Sequence, residues 1–330
     1  MENLIHLSEE DVIEVRGIIT EIKNQFKSVE DNEYIRQTYR FAERLPLSIR
    51  NAVKKLKREE SQCDSLIIRG FKAGEFDSIK TPAHWNEVSS DLKAQELDFA
   101  STIFATLLGH IFSWRSQQHG NFVNEIIPIK GNESNQVGSS SKTALAWHNE
   151  DCFHPHRPDF LCLYCVRNND SISTKLWSVR RLEPFKDHPL YNELFLPNYE
   201  FLVDYSHDQG IPASNVKTME KYKAEPIILP VLWGDRNSPY MCFDPHFTRT
   251  LTKKAADALA WLEKIVSSGY SECSLQKADI LFINNHKVAH GREPFNPKYD
   301  GQDRWLRRIL ITESIRKSIM ERKEISNSQI

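Results

Sequence analysis

Short strand-like runs fill the second half of the chain, and this pattern limits the fold more than any other feature of the sequence. Eight runs between residues 121 and 312 are rich in β-branched or aromatic residues and are separated by Gly, Pro, Asn and Asp: NFVNEIIPI, SKTALAWHNE, DFLCLYCVR, TKLWSV, EPIILPVLW, SPYMCFD, DILFINN and RWLRRILIT. Short strands with turn residues between them are typical of sandwiches and jelly rolls. We therefore predict a mostly β core of one of these two kinds.

Helical periodicity marks the first sixty residues. Ser8 precedes three acidic residues, which is typical of an N-cap, and apolar residues then recur at helical spacing as far as Ile22. Two more helices are predicted near 33–44 and 46–60. We expect residues 1–62 to pack as a helical extension on a core of residues 63–330 within a single domain. The extension could support that core or form the contact surface of a homo-oligomer.

Two further helices and one long loop are predicted inside the core segment. The apolar stretch 99–114 belongs to a predicted buried helix over 89–114 and is too short and too polar to span a bilayer. The polar stretch 206–222 is predicted to be a loop, either a mobile lid or plain surface. A helix is also predicted at about 252–267, with these apolar residues on one face: Ala256, Leu259, Leu262 and Val266.

Charge and cysteine content exclude several classes of protein. The 43 Lys and Arg residues against 45 Asp and Glu residues give a net charge of −2, so neither nucleic acid nor an anionic membrane is an expected partner. The N-terminus has no basic region followed by an apolar one, and we expect a cytoplasmic protein. The six cysteines do not suggest a disulfide framework. Cys162 and Cys165 would point to opposite faces of a strand, which argues against a zinc site.

A histidine and a carboxylate stand two residues apart at the end of one strand-like run. In WHNED, an extended strand would point His148 and Glu150 to the same side. His290 follows the run DILFINN and is the candidate third ligand. Two histidines and one carboxylate on one face of an octahedron leave three positions open, the arrangement of non-haem Fe(II) oxygenases. The pair alone is weak evidence, because an exposed polar strand end has the same pattern.

Two arginines share one face of the last strand-like run. In RWLRRILIT, Arg304 and Arg308 alternate with Leu306 and Leu310. A guanidinium among buried leucines is costly without an anion, and its planar fork suits a carboxylate. A structural salt bridge would explain one such arginine. Two of them close to His290 indicate two carboxylates bound side by side.

Three segments together resemble a known family. The sequences HNEDCFHPHRPDFLCLYCVRN, VAHGREPFNPKYDGQDRWLRR and SQQHG followed by GSSSKTALAW are similar to the clavaminate-synthase-like Fe(II)/2-oxoglutarate oxygenases that act on free amino acids. The similarity runs from about Arg69 to Ile311, and the first sixty residues add little to it. The resemblance implies a double-stranded β-helix, a cupin-like jelly roll. It also implies Fe(II), 2-oxoglutarate and dioxygen as cofactor and cosubstrates.

The resemblance also assigns roles to individual residues. His148, Glu150 and His290 match the iron ligands, and a carboxylate at Glu150 implies hydroxylation, since related halogenases have a small residue there. Arg304 matches the arginine that pairs with the distal carboxylate of 2-oxoglutarate. The remaining matches are Thr174, which assists Arg304 and has Ser173 beside it; Arg308, for the substrate α-carboxylate; and Gln117, near the α-amine.

The family members that act on lysine are the most similar, with arginine and asparagine hydroxylases as relatives. This implies hydroxylation of free L-lysine, at C4 first and C3 next, with arginine, asparagine or another free amino acid as the alternative. Asp244 in SPYMCFDPHF is the candidate carboxylate for the cationic side chain. Asp151, Asp235 and Trp233 are alternatives to it. Arg69 either reaches the pocket or forms a salt bridge at a strand end.

Two other kinds of protein fit parts of the pattern. One is a non-enzymatic jelly-roll protein that holds a small acid at Arg304 and Arg308. The other is a cupin-like zinc hydrolase or isomerase, which would not need Arg304 together with Thr174. Only the oxygenase interpretation accounts for both the ligand set and the arginines.

Overall fold

The computed structural model describes residues 3–59, 62, 64–72, 74–207, 216–322 and 328–330. Its α-helices are α1 (Glu9–Gln25), α2 (Asn32–Ala42), α3 (Leu47–Lys57), α4 (Glu96–Thr106), α5 (Val216–Ala224) and α6 (Lys253–Ser268). Its strands are β1 (Asn3–His6), β2 (Ser65–Arg69), β3 (His110–Phe112), β4 (Val123–Ile126), β5 (Leu145–His148), β6 (Phe160–Arg167), β7 (Thr174–Ser178), β8 (Tyr199–Phe201), β9 (Ile227–Leu229), β10 (Leu232–Asp235), β11 (Ser238–Met241), β12 (Thr248–Thr250), β13 (Ser271–Cys273), β14 (Ile280–Asn284), β15 (Val288–Arg292) and β16 (Trp305–Thr312).

Two sheets pack face to face at the centre of the molecule. The larger has the order β1-β2-β14-β6-β16-β3, with β4 also paired to β16, and the smaller has the order β13-β7-β15-β5. One hydrophobic cluster contains side chains from both sheets, for example Leu163 and Leu306 from the larger and Leu176 and Val288 from the smaller. Apolar residues on the inner faces of both sheets therefore form a shared core.

The N-terminal helices cover the outer face of the larger sheet. Val15 of α1, Ile49 of α3 and Phe99 of α4 belong to one buried cluster with Ile68 and Ile280 of the sheet. Helix α1 begins with the predicted cap, in which Ser8 Oγ accepts from the amide of Asp11. The cap fixes where the helix starts, and its buried apolar residues face the sheet from Val12 onward. Burial of these apolar residues is what attaches residues 3–59 to the strands.

Strand β6 separates the two cysteines of the CxxC sequence. Cys162 lies in the cluster under the helices, whereas Cys165 lies in the cluster between the sheets. Both are buried and unpaired with each other. The prediction that they point to opposite faces is confirmed; Cys63 lies outside the described residues.

All eight strand-like runs contain strands, but the buried helix predicted over 89–114 covers only Glu96–Thr106, so its predicted bounds are wrong. A short 3-10 turn at Ser90–Lys93 precedes α4, which ends at Thr106, and 110–112 form strand β3. At Gly109 an added Cβ would lie 2.3 Å from the carbonyl oxygen of Thr312, so the chain turns there against the end of β16 and pairs with it. The apolar residues of this stretch are compatible with either a helix or a strand, and pairing of residues 110–112 with β16 favours the strand.

Two other predictions need adjustment. In α6 the buried residues include Ala255 and Ala258, while Ala256 is exposed, so the buried face is rotated from the predicted one. The second half of the predicted loop 206–222 belongs to α5, and 208–215 lie outside the described residues. Within the part of the chain that is described, no helix is long and apolar enough to cross a bilayer.

Candidate metal centre and its cavity

Two histidines from neighbouring strands face each other in the smaller sheet. His148 ends β5, His290 lies in β15, and the two residues are directly paired across the antiparallel ladder, with ring centroids 4.2 Å apart. Glu150 Oε1 lies 3.7 Å from His148 Nε2 and 3.5 Å from His290 Nε2. One ligand atom from each residue lies within 4.8 Å of the others. This spacing can hold one metal ion with two imidazoles and one carboxylate.

Glu150 reaches this position from a turn, whereas the sequence predicted an extended strand. Strand β5 ends at His148, and two asparagines that the sequence analysis missed hold the turn that follows. Asn149 donates its side-chain amide to the carbonyls of Asn285 and Val288, and Asn285 Oδ1 accepts from the backbone amide of Glu150 at 2.9 Å. The signal for Asn149 was its place between the two ligands in HNE, whereas Asn285 lies five residues before His290 and had no comparable signal.

The protonation of Glu150 and His290 suits a cation, whereas a metal ion would have to displace a proton from His148. Burial disfavours the charge on His148, but the Glu150 carboxylate outweighs it and raises the pKa of His148 to about 9. Burial disfavours the charge on Glu150, but Arg308 and the two imidazoles outweigh it and hold its pKa well below the ordinary value. Burial and the neighbouring His148 lower the pKa of His290 to about 4, so that ring is neutral. His148 donates from Nδ1 to the carbonyl of Ala146 at 2.8 Å, which leaves Nε2 facing the carboxylate.

Arg304 is a buried cation without a carboxylate partner among the described residues. Its Nη2 donates to Thr174 Oγ1 at 3.2 Å, while its Nε is buried and unpartnered. Burial lowers the pKa of Arg304 to about 10. Burial, reinforced by the charge of the neighbouring Arg304, lowers the pKa of Arg292 to about 9. Arg292 donates to the carbonyl oxygens of Ser140, Thr143 and Glu293 and to the hydroxyl of Ser140, and it forms no ion pair with a described carboxylate. This end of the cavity is therefore suited to an anion.

Arg308 joins the candidate metal site to the next part of the cavity wall. Its Nη1 donates to Glu150 Oε2 at 2.6 Å, and its Nη2 donates to Gln117 Oε1 at 2.7 Å and to Asn124 Oδ1 at 3.2 Å. Gln117 in turn donates to Ser206 Oγ at 2.6 Å. The polar groups that line this wall are thus oriented by one another.

Two acidic side chains line the same cavity. Asp244 accepts from the backbone amide of Phe247 at 3.2 Å, and no described residue forms an ion pair with it. Burial, together with the charge of Asp204, raises the pKa of Asp244 to about 7. Asp204 also lines the cavity. A cavity that holds a carboxylate without a described ion-pair partner at one place and a guanidinium without one at another is suited to a zwitterionic ligand.

The structure brings together nine of the residues singled out for the site and places Trp233, Asp235 and Arg69 elsewhere. The nine line one cavity: His148, Glu150, His290, Thr174, Arg304, Arg308, Gln117, Asp244 and Asp151. Trp233 packs on Tyr240 and lines a different pocket. The alternative Asp235 is exposed on the β10–β11 hairpin, and Arg69 forms a salt bridge with Asp279 at 2.6 Å. Sequence pattern could not separate these residues from Asp244, because all lie at strand ends.

Comparison with known proteins agrees with this arrangement. No family model matches the chain. An enduracididine β-hydroxylase of Streptomyces hygroscopicus is 30% identical over 95% of both chains, and an L-ornithine/L-arginine 3-hydroxylase of Catenulispora acidiphila is 29% identical over 94% of this chain and 95% of its own. An L-lysine 4-hydroxylase of Chitinophaga pinensis is 25% identical over 99% of this chain and 86% of its own.

Solved structures show the same similarity in three dimensions. The non-haem iron oxygenase OrfP, in complex with Fe, succinate and (3R,4R)-dihydroxy-L-Arg, superposes with a TM-score of 0.92 at 32% identity, covering 99% of each chain. The fold is therefore that of a non-haem iron oxygenase, and the candidate site has two histidines and one carboxylate that could hold iron. The chain belongs to the Fe(II)/2-oxoglutarate-dependent amino-acid hydroxylases. This decides against the non-enzymatic binding protein and the zinc hydrolase or isomerase, and the similarity includes the N-terminal helices.

Proposed function

We propose that this enzyme hydroxylates a free L-amino acid with a cationic side chain, with arginine at C3 as the first candidate and lysine at C4 or C3 as the second. The observation that carries the proposal is the pair of carboxylates Asp244, which forms no ion pair with a described residue, and Asp204, in a cavity that also contains Arg308 and the candidate metal ligands. Two carboxylates suit the planar guanidinium, which has five donors, better than a compact ammonium. The relatives that act on arginine support the same order.

His148, Glu150 and His290 would hold Fe(II), and Arg304 with Thr174 would bind the distal carboxylate of 2-oxoglutarate. Bound Fe(II) lets dioxygen convert 2-oxoglutarate to succinate and carbon dioxide while one oxygen atom enters a substrate C–H bond. Arg304 is ready for this role because its Nε is buried without a partner. The oxygenase OrfP has been solved with Fe and α-ketoglutaric acid, which supports the assignment.

Arg308 and Gln117 would bind the backbone groups of the substrate. Arg308 Nε is buried and unpartnered, so a substrate α-carboxylate can use it without breaking the contact with Glu150. Gln117 lies beside Arg308 and can orient the α-amine. The distance between these groups and Asp244 then decides which carbon is held at the metal, because a shift of about 1 Å can cost on the order of 100-fold in rate.

We also infer that the two facing sheets form the jelly roll that the resemblance implied. The shared core between the larger and smaller sheets and the similarity to OrfP support it. The boundary at residue 62, the homo-oligomer and the cytoplasmic location stay predictions.

The test is anaerobic reconstitution with Fe(II) and 2-oxoglutarate, followed by air and a panel of free amino acids. Succinate and a product heavier by one oxygen atom are measured. We expect arginine to give both. A product from lysine alone would make lysine the first candidate. If no amino acid increases the formation of succinate, the proposal of a free amino-acid substrate is wrong.

A pair of histidine variants tests the metal assignment. His290→Ala should abolish iron binding and turnover. His188→Ala removes a histidine that stacks on Trp261 at 4.3 Å, away from the cavity, and should leave both unchanged. Full turnover by His290→Ala with iron supplied would show that the ligand set is wrong.

A further inference from the structure

A chain of hydrogen bonds leads from Glu150 to the segment 204–207. Arg308 contacts Glu150 Oε2 at 2.6 Å and Gln117 Oε1 at 2.7 Å. Gln117 Nε2 then donates to Ser206 Oγ at 2.6 Å. Each link joins groups that line the cavity.

The chain closes into a ring through the next residue, His207. His207 Nε2 lies 2.9 Å from Asp151 Oδ1, and Asp151 follows Glu150 directly. Because this nitrogen faces a carboxylate oxygen, it carries the proton and donates it. The ring therefore connects the carboxylate proposed to bind iron with the segment that carries Asp204 and Ser206.

The Asp151–His207 pair is held from both sides. Trp114 Nε1 donates to Asp151 Oδ2 at 2.6 Å, and Ser116 Oγ lies 2.6 Å from His207 Nδ1. Neither Asp151 nor His207 has any exposed side-chain surface, and Asp151 has a φ of 54°. Asp tolerates this left-handed conformation better than most residues. The backbone of the turn after Glu150 is thus shaped by a buried pair that does not itself bind the proposed metal.

Asp151 and His207 are hydrogen-bonded to each other, and Asp204 lies near both of them. Asp151, Asp204 and His207 have ligand atoms within 4.8 Å of one another. Trp114 and Ser116, however, already occupy Asp151 Oδ2 and His207 Nδ1. His207 Nε2 is also 3.9 Å from Asp204 Oδ2, so its proton faces both carboxylates. The arrangement favours positioning over a second metal.

We propose that Asp151 and His207 are positioning residues that couple the substrate-binding segment to Glu150. The inference rests on the proposed function, in which Asp204 contacts the side-chain cation of the substrate. Substrate held at Asp204 and Ser206 fixes His207, and His207 fixes the turn that carries Glu150. The hydrogen-bonded ring thus connects the amino-acid site to the carboxylate proposed to bind iron. Consumption of 2-oxoglutarate at the iron therefore stays matched to hydroxylation of the bound amino acid.

Three histidine variants test the inference. His207→Leu removes the link, whereas His207→Gln retains a donor at the place of Nε2. His286→Leu is the control, since His286 makes an equivalent contact with Asp159 Oδ1 at 2.9 Å but lines a different pocket. The measurements are the ratio of hydroxylated product to succinate and the Michaelis constants for the amino acid and for 2-oxoglutarate.

We expect His207→Leu to lower kcat/KM for the amino acid by about 10- to 100-fold and to lower the product-to-succinate ratio, with the Michaelis constant for 2-oxoglutarate unchanged. His207→Gln should restore most of the ratio, and His286→Leu should behave as the wild type. A purely structural role would lower thermal stability and leave the ratio intact, which would overturn the proposal.

A second variant covers the case in which His207→Leu fails to fold. Asp151→Asn keeps a residue that tolerates the left-handed backbone but loses one acceptor, and it should also lower the ratio. An unchanged ratio in Asp151→Asn would count against the ring. If the wild type hydroxylates only a neutral amino acid, the proposed substrate class fails, while the ratio measured with that amino acid still decides the role of His207. If it hydroxylates none, both proposals fail.

Discussion

Arg308 holds one oxygen of Glu150 and leaves the other to the histidines. Its Nη1 lies 2.6 Å from Glu150 Oε2, while Oε1 faces the Nε2 atoms of His148 and His290. The guanidinium thereby fixes the rotation of the carboxylate and favours one coordinating oxygen. A residue proposed to bind substrate thus also orients a proposed metal ligand, which places substrate and metal in one connected structure.

The first prediction concerns the cosubstrate. Arg304→Met should raise the Michaelis constant for 2-oxoglutarate by roughly 100-fold, because losing one partner of a buried charge pair costs about 2–5 kcal/mol. Thr174→Val should raise it by roughly 10-fold, the loss of one hydrogen bond to a charged group. Steady-state kinetics at saturating amino acid measure both effects.

The control for Thr174 is its neighbour. Ser173 bonds to Ser274 Oγ at 2.8 Å and does not line the cavity, so Ser173→Ala should leave the constant unchanged. A larger effect from Ser173→Ala than from Thr174→Val would reverse the assignment.

The second prediction concerns substrate charge. Asp244→Asn should raise the Michaelis constant for arginine by roughly 100-fold, since the guanidinium loses its buried partner. Citrulline, the neutral analogue, should be affected much less, so the preference for arginine over citrulline should shrink. Asp235→Asn, on the exposed hairpin, is the matched control and should leave the preference intact. If Asp244→Asn raises the Michaelis constants for arginine and citrulline equally, Asp244 does not recognise the charge of the substrate.

The third prediction is a pH dependence. Asp244 must be ionised to bind a cation, and burial, reinforced by Asp204, raises its pKa to about 7. The value of kcat/KM for arginine should therefore fall as the pH falls through about 7, and Asp244→Asn should abolish that limb of the profile. A limb that survives in Asp244→Asn would belong to another group.

The same raised pKa has the opposite effect on stability without substrate. The folded protein holds the Asp244 proton more tightly than the unfolded chain, so the contribution of Asp244 to stability falls as the pH rises from about 4 towards 7. Added arginine should consequently raise the melting temperature more at pH values above about 7 than below it, and scanning calorimetry can check this.

The fourth prediction concerns the spacing of the two metal-site strands. A Cβ at Gly291 would lie 2.9 Å from the carbonyl oxygen of Leu145, so Gly291→Ala should push β5 away from β15 and separate His148 from His290. Iron affinity should fall on the order of 10- to 100-fold, as for other changes that reorient metal ligands. Iron titration measures this directly.

Gly17→Ala provides the comparison. Nothing lies within 4 Å of the added Cβ in the middle of α1, so this change should stabilise the fold by about 1 kcal/mol and leave iron binding unaltered. Wild-type iron affinity in Gly291→Ala would show that the strands can absorb the extra atom.

Local pattern predicted a strand in each of the eight runs and, together with the family resemblance, the candidate residues of the site. Alternation along RWLRRILIT predicted that Arg304 and Arg308 share a face with leucines, and both guanidiniums line the cavity. The HxE spacing and a later histidine were enough to propose the ligand set. These features depend on residues two or four apart, whose relative directions are set by the backbone itself.

Contacts between distant residues were decided only by the tertiary structure. The turn that carries Glu150 depends on Asn285, more than a hundred residues away, and strand β3 exists because β16 offers an open edge beside Gly109. Packing also turned Asp244 into the cavity and left Asp235 exposed, although their local sequences look alike. Sequence pattern records which side of a strand a residue occupies, whereas the neighbours on that side are fixed by how the sheets and helices pack together.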